Sequence, residues 1–261
     1  MSIRSSTEIV SDCKQILKAY KDGKLGYTSM PEESSPIFSE SEKEQRLIYF
    51  TLPMSLNYQR DSYKLWISAL KTYNDPETRI IFDIKSSSLL EEAKLRKYLL
   101  RYKLALQPNK HIATWKRISQ TIAENWGTIG KLIESSDYDF LKLRDIIQKQ
   151  FKSEFPYLSG PKIFNYWSFI IQEYGKTKLL NSELIDIAPD THITKCSVII
   201  GVISEKEAQT ISKEEISNKW REILKRSGIN PIQMHPPLWF WSKNNFKYKL
   251  KHFTRTKTES N

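Results

Sequence analysis

The sequence predicts a mainly all-α protein, and three observations carry that expectation. Apolar residues return at helical spacing in most segments. Capping and stop residues bracket those segments. Runs that read as strand are few and short. Hydrophobic residues make up 39% of the 261 residues and aromatics 12%, enough to bury a core, so global disorder is excluded.

Taken in order, residues 5–22 read as a helix with Ile9, Cys13, Ile16, Leu17 and Tyr20 on one face. Residues 28–42 (TSMPEESSPIFSESE) read as a mobile Pro/Ser/Glu loop. A β-like run follows at 46–56 and ends at Pro53. Asp61 caps a helix that runs to Tyr73. Arg79 to Ile84 reads as a short strand or loop, and Ser88 to Tyr102 as a Ser-capped helix. Pro108 and Asn109 break the chain. His111 to Trp126 then carries Ile112, Trp115, Ile118, Ile122 and Trp126 on one stripe, and Gly127 stops it. Further helices are expected at Phe140–Phe151, Ile163–Tyr174, Thr191–Val202 and Lys213–Gly228. The 163–174 helix is apolar enough to be central. Residues 231–241 (PIQMHPPLWFW) read as Pro-broken, and the tail from Thr254 as disordered. No internal repeat is found.

Composition narrows the function. There are 8 glycines and no phosphate-loop or dinucleotide fingerprint, which argues against Walker-type hydrolysis and a Rossmann fold. Cys13 and Cys196 are the only cysteines, so zinc ribbons and four-cysteine clusters are excluded and two reduced thiols are expected. The first residues lack the apolar core of a signal peptide, and no apolar stretch is long enough to span a bilayer. The chain therefore reads as soluble and intracellular. Its net charge of +11 favours a polyanionic partner. Basic residues cluster at Lys94, Arg96, Lys97, Arg101 and Lys103. They cluster again at Lys243, Lys247, Lys249, Lys251, Arg255 and Lys257, where Phe246, Tyr248 and Phe253 are interleaved.

Two short pieces carry the chemistry. In Phe155–Asn165 (FPYLSGPKIFN), Gly160 permits a positive φ or a close backbone approach. Pro161 suits the first position of a helix, which puts Lys162 in its first turn. The positive helix end disfavours an ammonium there, so the lysine invites a functional explanation. The amides of the turn would form a phosphate-binding concavity. In Ile187–Ile193 (IAPDTHI), Asp190 precedes a helix that it can cap while presenting a carboxylate. A lysine and an aspartate at neighbouring helix starts could form a Schiff base at a sugar carbon and stabilise the positive charge there. Taken singly, Asp190 reads as a plain cap and Lys162 as a solvated lysine.

Together the two pieces, L-S-G-P-K-I-x-N and P-D-T-H-I, resemble the helix-hairpin-helix DNA glycosylases, the family of endonuclease III and the 8-oxoguanine glycosylases. Gly160 matches the second hairpin glycine, and Leu158 stands in place of the first. Asp190-Thr191-His192 matches the family's D-T-H, 28 residues after Lys162. The resemblance implies a helical fold of two lobes with a cleft between them. The N-terminal helix and loop would occupy 1–45, the glycosylase-like domain 46–253, with its hairpin at about 141–174, and the disordered tail 254–261. Lys162 would be the Schiff-base lysine and Asp190 the essential aspartate, with Ser159, Gly160 and Lys162 on the DNA backbone. Asn57, Tyr58, Gln59, Asn109 and His192 are candidates for a base pocket or a wedge. Of these His192 reads rather as a hydrogen-bonding residue of its helix start, and 57–59 and 109–111 also read as plain turns. Trp126 and Trp167 read as core.

The expected activity is that of a DNA N-glycosylase with lyase activity. It would excise a damaged or modified base, oxidised purines first, from duplex DNA by base flipping. The expected setting is a cytoplasmic, nucleoid-associated monomer with no cofactor, no metal and no membrane. The alternatives are a non-catalytic hairpin DNA-binding protein and a glycosylase for hypermodified bases of foreign DNA.

Overall fold

The computed structural model describes residues 4–26 and 29–251. Those residues are mainly helical and contain no strand, only an isolated bridge between Asp139 and Leu180. The α-helices are α1 (Ser6–Lys21), α2 (Lys43–Thr51), α3 (Ser62–Asn74), α4 (Ile84–Leu89), α5 (Glu92–Arg101), α6 (Pro108–Asn125), α7 (Ile129–Glu134), α8 (Phe140–Asp145), α9 (Pro161–Glu173), α10 (Thr191–Ile200), α11 (Glu205–Thr210), α12 (Lys213–Leu224) and α13 (His235–Lys243). The chain divides into two compact units, one of Met1–Ser29 with Glu183–Asn261 and the other of Met30–Ser182. The boundary between the units, at Ser29 and Met30, falls inside the expected 1–45 segment of helix and loop. The expected tail at 254–261 lies outside the described residues.

In the unit that holds both chain ends, α1 packs on α12 and α13, and α10 packs on α13. A capping box of Ser5 and Glu8 starts α1, and Arg4 donates to the Ile200 carbonyl at 2.6 Å. Glycine at 201, with φ 90°, turns the chain at the end of α10, two residues short of the expected Val202. Residues 231–243 are not broken by their prolines. Pro236 and Pro237 fall in the first turn of α13, where a backbone N–H has no helical partner to lose.

In the second unit, α9 is buried at every residue from Ile163 to Ile171, a run that is apolar or aromatic except at Asn165 and Ser168, and it packs on α2. Helix α2 replaces the expected β-like run. Arg46, Leu47, Ile48, Tyr49, Phe50 and Thr51 are all buried, so the helix has no solvent stripe to reveal its period. Residues 29–42 are not simply a loop. Two 3₁₀ turns form at Pro31–Glu33 and Glu40–Glu42, and Met30, Pro31 and Glu32 are buried. Arg79–Phe82 is 3₁₀ rather than strand. The expected 88–102 helix is α5, which starts after Glu91 without a side-chain cap, with α4 ending just before it.

Buried indoles need acceptors, and five of them have one on protein groups. Trp66 donates to Glu32 at 2.9 Å, Trp115 to Ser87 at 3.0 Å and Trp167 to Thr51 at 3.0 Å. In the other unit Trp220 donates to Ser197 and Trp241 to the Tyr248 carbonyl, both at 2.8 Å. Phe246 meets Trp241 edge-on with ring centroids 4.9 Å apart, so this aromatic of the basic tail packs inward. Phe253, Arg255 and Lys257 lie outside the described residues.

Candidate functional site

The hairpin is built from α8, a π-turn at Ile146–Gln150, a run of turns and then α9. The turn uses its own amides. Leu158 N–H donates to the Pro156 carbonyl, Ser159 N–H to Phe155 and Gly160 N–H to Tyr157, at 2.7, 2.9 and 3.0 Å. The Ser159 hydroxyl donates to the Lys152 carbonyl at 3.0 Å. The positive φ expected of Gly160 belongs instead to Tyr157, at 61°. Gly160 is extended, with φ −68° and ψ 136°. A Cβ there would lie 3.1 Å from the Tyr157 carbonyl oxygen, so the close-approach reading of the glycine holds.

These bonds move the anion-facing groups one step along the chain. Gly160, as N-cap, has no side chain to cap α9, and Pro161 has no N–H. The first amide of α9 to find a helical partner is Phe164, bonded to the Gly160 carbonyl at 2.9 Å. The amides of Lys162 and Ile163, at the positive end of a 13-residue helix, have no hydrogen-bond acceptor among the described residues. Ile163 was not among the expected site residues, because a backbone donor leaves no mark in a side-chain pattern. Lys162 itself is exposed, and its side chain has no ion pair or hydrogen bond among the described residues.

Of the candidate wedge or pocket residues, Tyr58 reaches the hairpin. Its ring stacks on Tyr157 with centroids 5.3 Å apart and planes at 25°, and it remains 46% exposed. Asn57 is turned back, donating to Ser62 Oγ at 3.2 Å and to Met54 Sδ at 3.7 Å. Gln59 is exposed, with φ 51°. Asn109 and His111 do not lie in a Pro-broken turn. Pro108 starts α6, so both fall in its first turn. Asn109 accepts from Arg96 at 3.2 Å. His111 is buried edge-on to Tyr157, and its Nδ1 accepts the Leu106 N–H at 3.1 Å. Burial first, and the nearby Arg60 charge second, push it down to about 4, so it is a neutral packing residue at neutral pH. Beside the turn an open basin of about 570 Å³ is lined by Lys110, Thr114, Lys116, Arg117, Pro156 and Tyr157 among others.

Asp190 lies in the other unit. It is the N-cap of α10, half-buried, and its Oδ1 accepts the Ile193 N–H at 2.8 Å. Its carbonyl accepts from the Thr194 hydroxyl at 2.6 Å, and Lys213 Nζ donates to that hydroxyl at 2.8 Å. Oδ2 has no hydrogen bond among the described residues. His192 Nδ1 pairs with Ser242 Oγ at 3.0 Å, and the ring meets Trp239 edge-on at 5.5 Å. Burial lowers the His192 pKa, while the Asp190 carboxylate opposes that shift. His192 thus ties the start of α10 to α13, as a hydrogen-bonding residue of a helix start does. Cys196 is fully buried with its thiol directed at the Leu238 carbonyl, and burial pushes its pKa up, which removes it as a nucleophile. Among the described residues, no three His, Cys, Asp or Glu side chains gather as a metal site.

Each unit therefore presents a distinct chemical group: an amine beside open amides on α9, and a carboxylate oxygen at the start of α10. No protein-family model and no curated protein matches the chain.

Proposed function

We propose that the chain is a DNA N-glycosylase with lyase activity that acts on a damaged or modified base in duplex DNA. The observation that carries the reading is the start of α9. Lys162 stands there with no partner among the described residues, beside two amides able to hold a phosphate. The L-S-G-P-K motif puts the family's reactive lysine at this position. Asp190 supports the reading by capping α10 with one oxygen and leaving the other free.

In the proposed reaction the target base is flipped out of the stack, since its glycosidic bond cannot be reached within the duplex. The free amine of Lys162 bonds to C1′ as the N-glycosidic bond breaks, and the base leaves with a proton. The one proton left on the nitrogen passes to O4′ as the sugar ring opens to the imine, and loss of a C2′ proton then expels the 3′ phosphate. Asp190 stabilises the positive charge that develops on the sugar. The proposed setting is a nucleoid-associated monomer in the cytoplasm.

The test is release of free base from duplex oligonucleotides that each carry one lesion, oxidised purines first and hypermodified bases next. The reading expects release of at least one class by the native chain and none by Asp190→Asn. No release from any duplex, with equal salt-dependent binding to undamaged and abasic DNA, would instead make the chain a hairpin DNA-binding protein without excision.

A further inference from the structure

Within the Met30–Ser182 unit, a groove of about 420 Å³ runs between α3 and the turn that follows α5. On α3, Lys64, Ile67, Ser68 and Lys71 stand three and four residues apart and so share one face. The opposite wall is formed by Arg101, Tyr102, Lys103 and Leu106. Arg60 joins the walls, donating to the Leu104 carbonyl at 2.7 Å and to the Lys103 carbonyl at 3.3 Å. Five cations line the groove and no carboxylate does. Arg101 is neutralised by Asp75 and Glu77. Lys64, Lys71 and Lys103 have no ion pair among the described residues. Two exposed apolar side chains, Ile67 at 48% and Leu106 at 52%, sit among the charges.

We infer that this groove binds the sugar–phosphate backbone of a nucleic-acid strand. The ligand must carry several negative charges, because Lys64 and Lys71 are about 10 Å apart along α3 and Lys103 lies on the far wall. It must also offer apolar surface between those charges, where Ile67 and Leu106 stand. A sugar–phosphate backbone alternates in this way. A single inorganic phosphate does not. Lys103 holds φ at 58°, a conformation that suits glycine. This groove is separate from the α9 start, and the inference does not depend on excision.

The experiment is fluorescence anisotropy of a labelled oligothymidine and of a labelled duplex, titrated over a salt series. The proteins are the native chain, Lys64→Ser/Lys71→Ser and Lys103→Gly. The glycine variant removes a charge while relieving the positive φ, so it should fold at least as well as the native chain. Each lost phosphate contact should make the log–log salt slope shallower by about 0.7–0.9. The double variant should therefore lose about 1.5 in slope and at least tenfold in affinity at 0.1 M salt, with an unchanged unfolding temperature. Unchanged slopes in both variants would overturn the inference. So would failure of the native chain to bind either oligonucleotide, or equal binding of a labelled polyglutamate. Base release that persists in the groove variants while their slopes change leaves both readings standing. Changed slopes with no base release by the native chain would end the glycosylase reading and keep the groove.

Discussion

A single carboxylate oxygen separates the two roles open to Asp190. Oδ1 is committed to the Ile193 amide, a bond that asparagine can keep. Asp190→Asn should therefore unfold within a degree or two of the native chain and bind DNA as well, while base release falls by orders of magnitude. Asp190→Ala should also lose about 1 kcal/mol of stability with the cap. Near-full excision by the asparagine variant would make the carboxylate purely structural. Glu32 gives a prediction of opposite kind. It is fully buried, and Oε1 accepts from Trp66 at 2.9 Å and Tyr166 at 3.1 Å. Oε2 and the Tyr49 hydroxyl are buried without a hydrogen-bond partner among the described residues. Burial raises the Glu32 carboxyl to about 7, with those hydrogen bonds opposing the rise. A carboxyl whose folded pKa lies above its unfolded value favours the fold when neutral. Stability is thus greatest below about pH 4.5 for this group, declines as pH rises toward 7 and levels off above it. Glu32→Gln has no charge to bury. Its unfolding temperature should exceed that of the native chain at pH 8, and the advantage should shrink toward pH 5. A constant difference across that range would show that Glu32 does not titrate there.

At the scale of elements, one carboxylate holds two helices together. Glu44 of α2 accepts the amides of Ile129 and Gly130, at 2.7 and 2.9 Å, and so closes the start of α7 from outside. Glu44→Ala leaves two part-buried donors open and should cost about 1–3 kcal/mol in chemical denaturation. A loss below about 0.5 kcal/mol would mean that water replaces the carboxylate. The helices legible in the sequence were those with a polar face, such as α1, α3, α6 and α12, where the apolar stripe reveals the period. The residues that escaped share one cause, local signals overruled by tertiary burial. Helix α2 has apolar and aromatic neighbours on all sides, so its run from Leu47 to Thr51 reads equally as strand. Prolines 108, 236 and 237 look like breaks but open helices instead. Of the site, Asp190 as a cap and His192 as a hydrogen-bonding partner followed from their place before an apolar run. The positive φ at Tyr157, its stacking on Tyr58 and the open amide of Ile163 did not. They depend on how a turn closes on itself, and single residue types do not report that. Gly160→Val carries the same logic to function. Its branched side chain would crowd the Tyr157 carbonyl and displace the α9 start, so DNA binding itself should weaken in a retardation assay, whereas Asp190→Asn spares it.

For the whole molecule, the net charge of +11 is the one property that composition alone ties to a polyanion. The structure sorts that charge. Lys97 and Arg101 pair with Glu77, and Arg96 pairs with Glu92, so these members of the first basic cluster are partly neutralised. Lys162, Lys64, Lys71 and Lys103 have no such partner among the described residues, and they lie on the two surfaces proposed to meet phosphate. Both thiols are free and buried, and no described helix is long and apolar enough to cross a membrane. The proposed activity requires Lys162 to form a covalent imine with the sugar of a flipped nucleotide. Borohydride reduction during reaction with a lesion-containing duplex would freeze that imine as a stable protein–DNA adduct. Peptide mapping of the adduct should place the crosslink on Lys162, and Lys162→Gln should abolish it while leaving the unfolding temperature unchanged. An adduct that survives that substitution, or one mapped to another amine, would contradict the assignment.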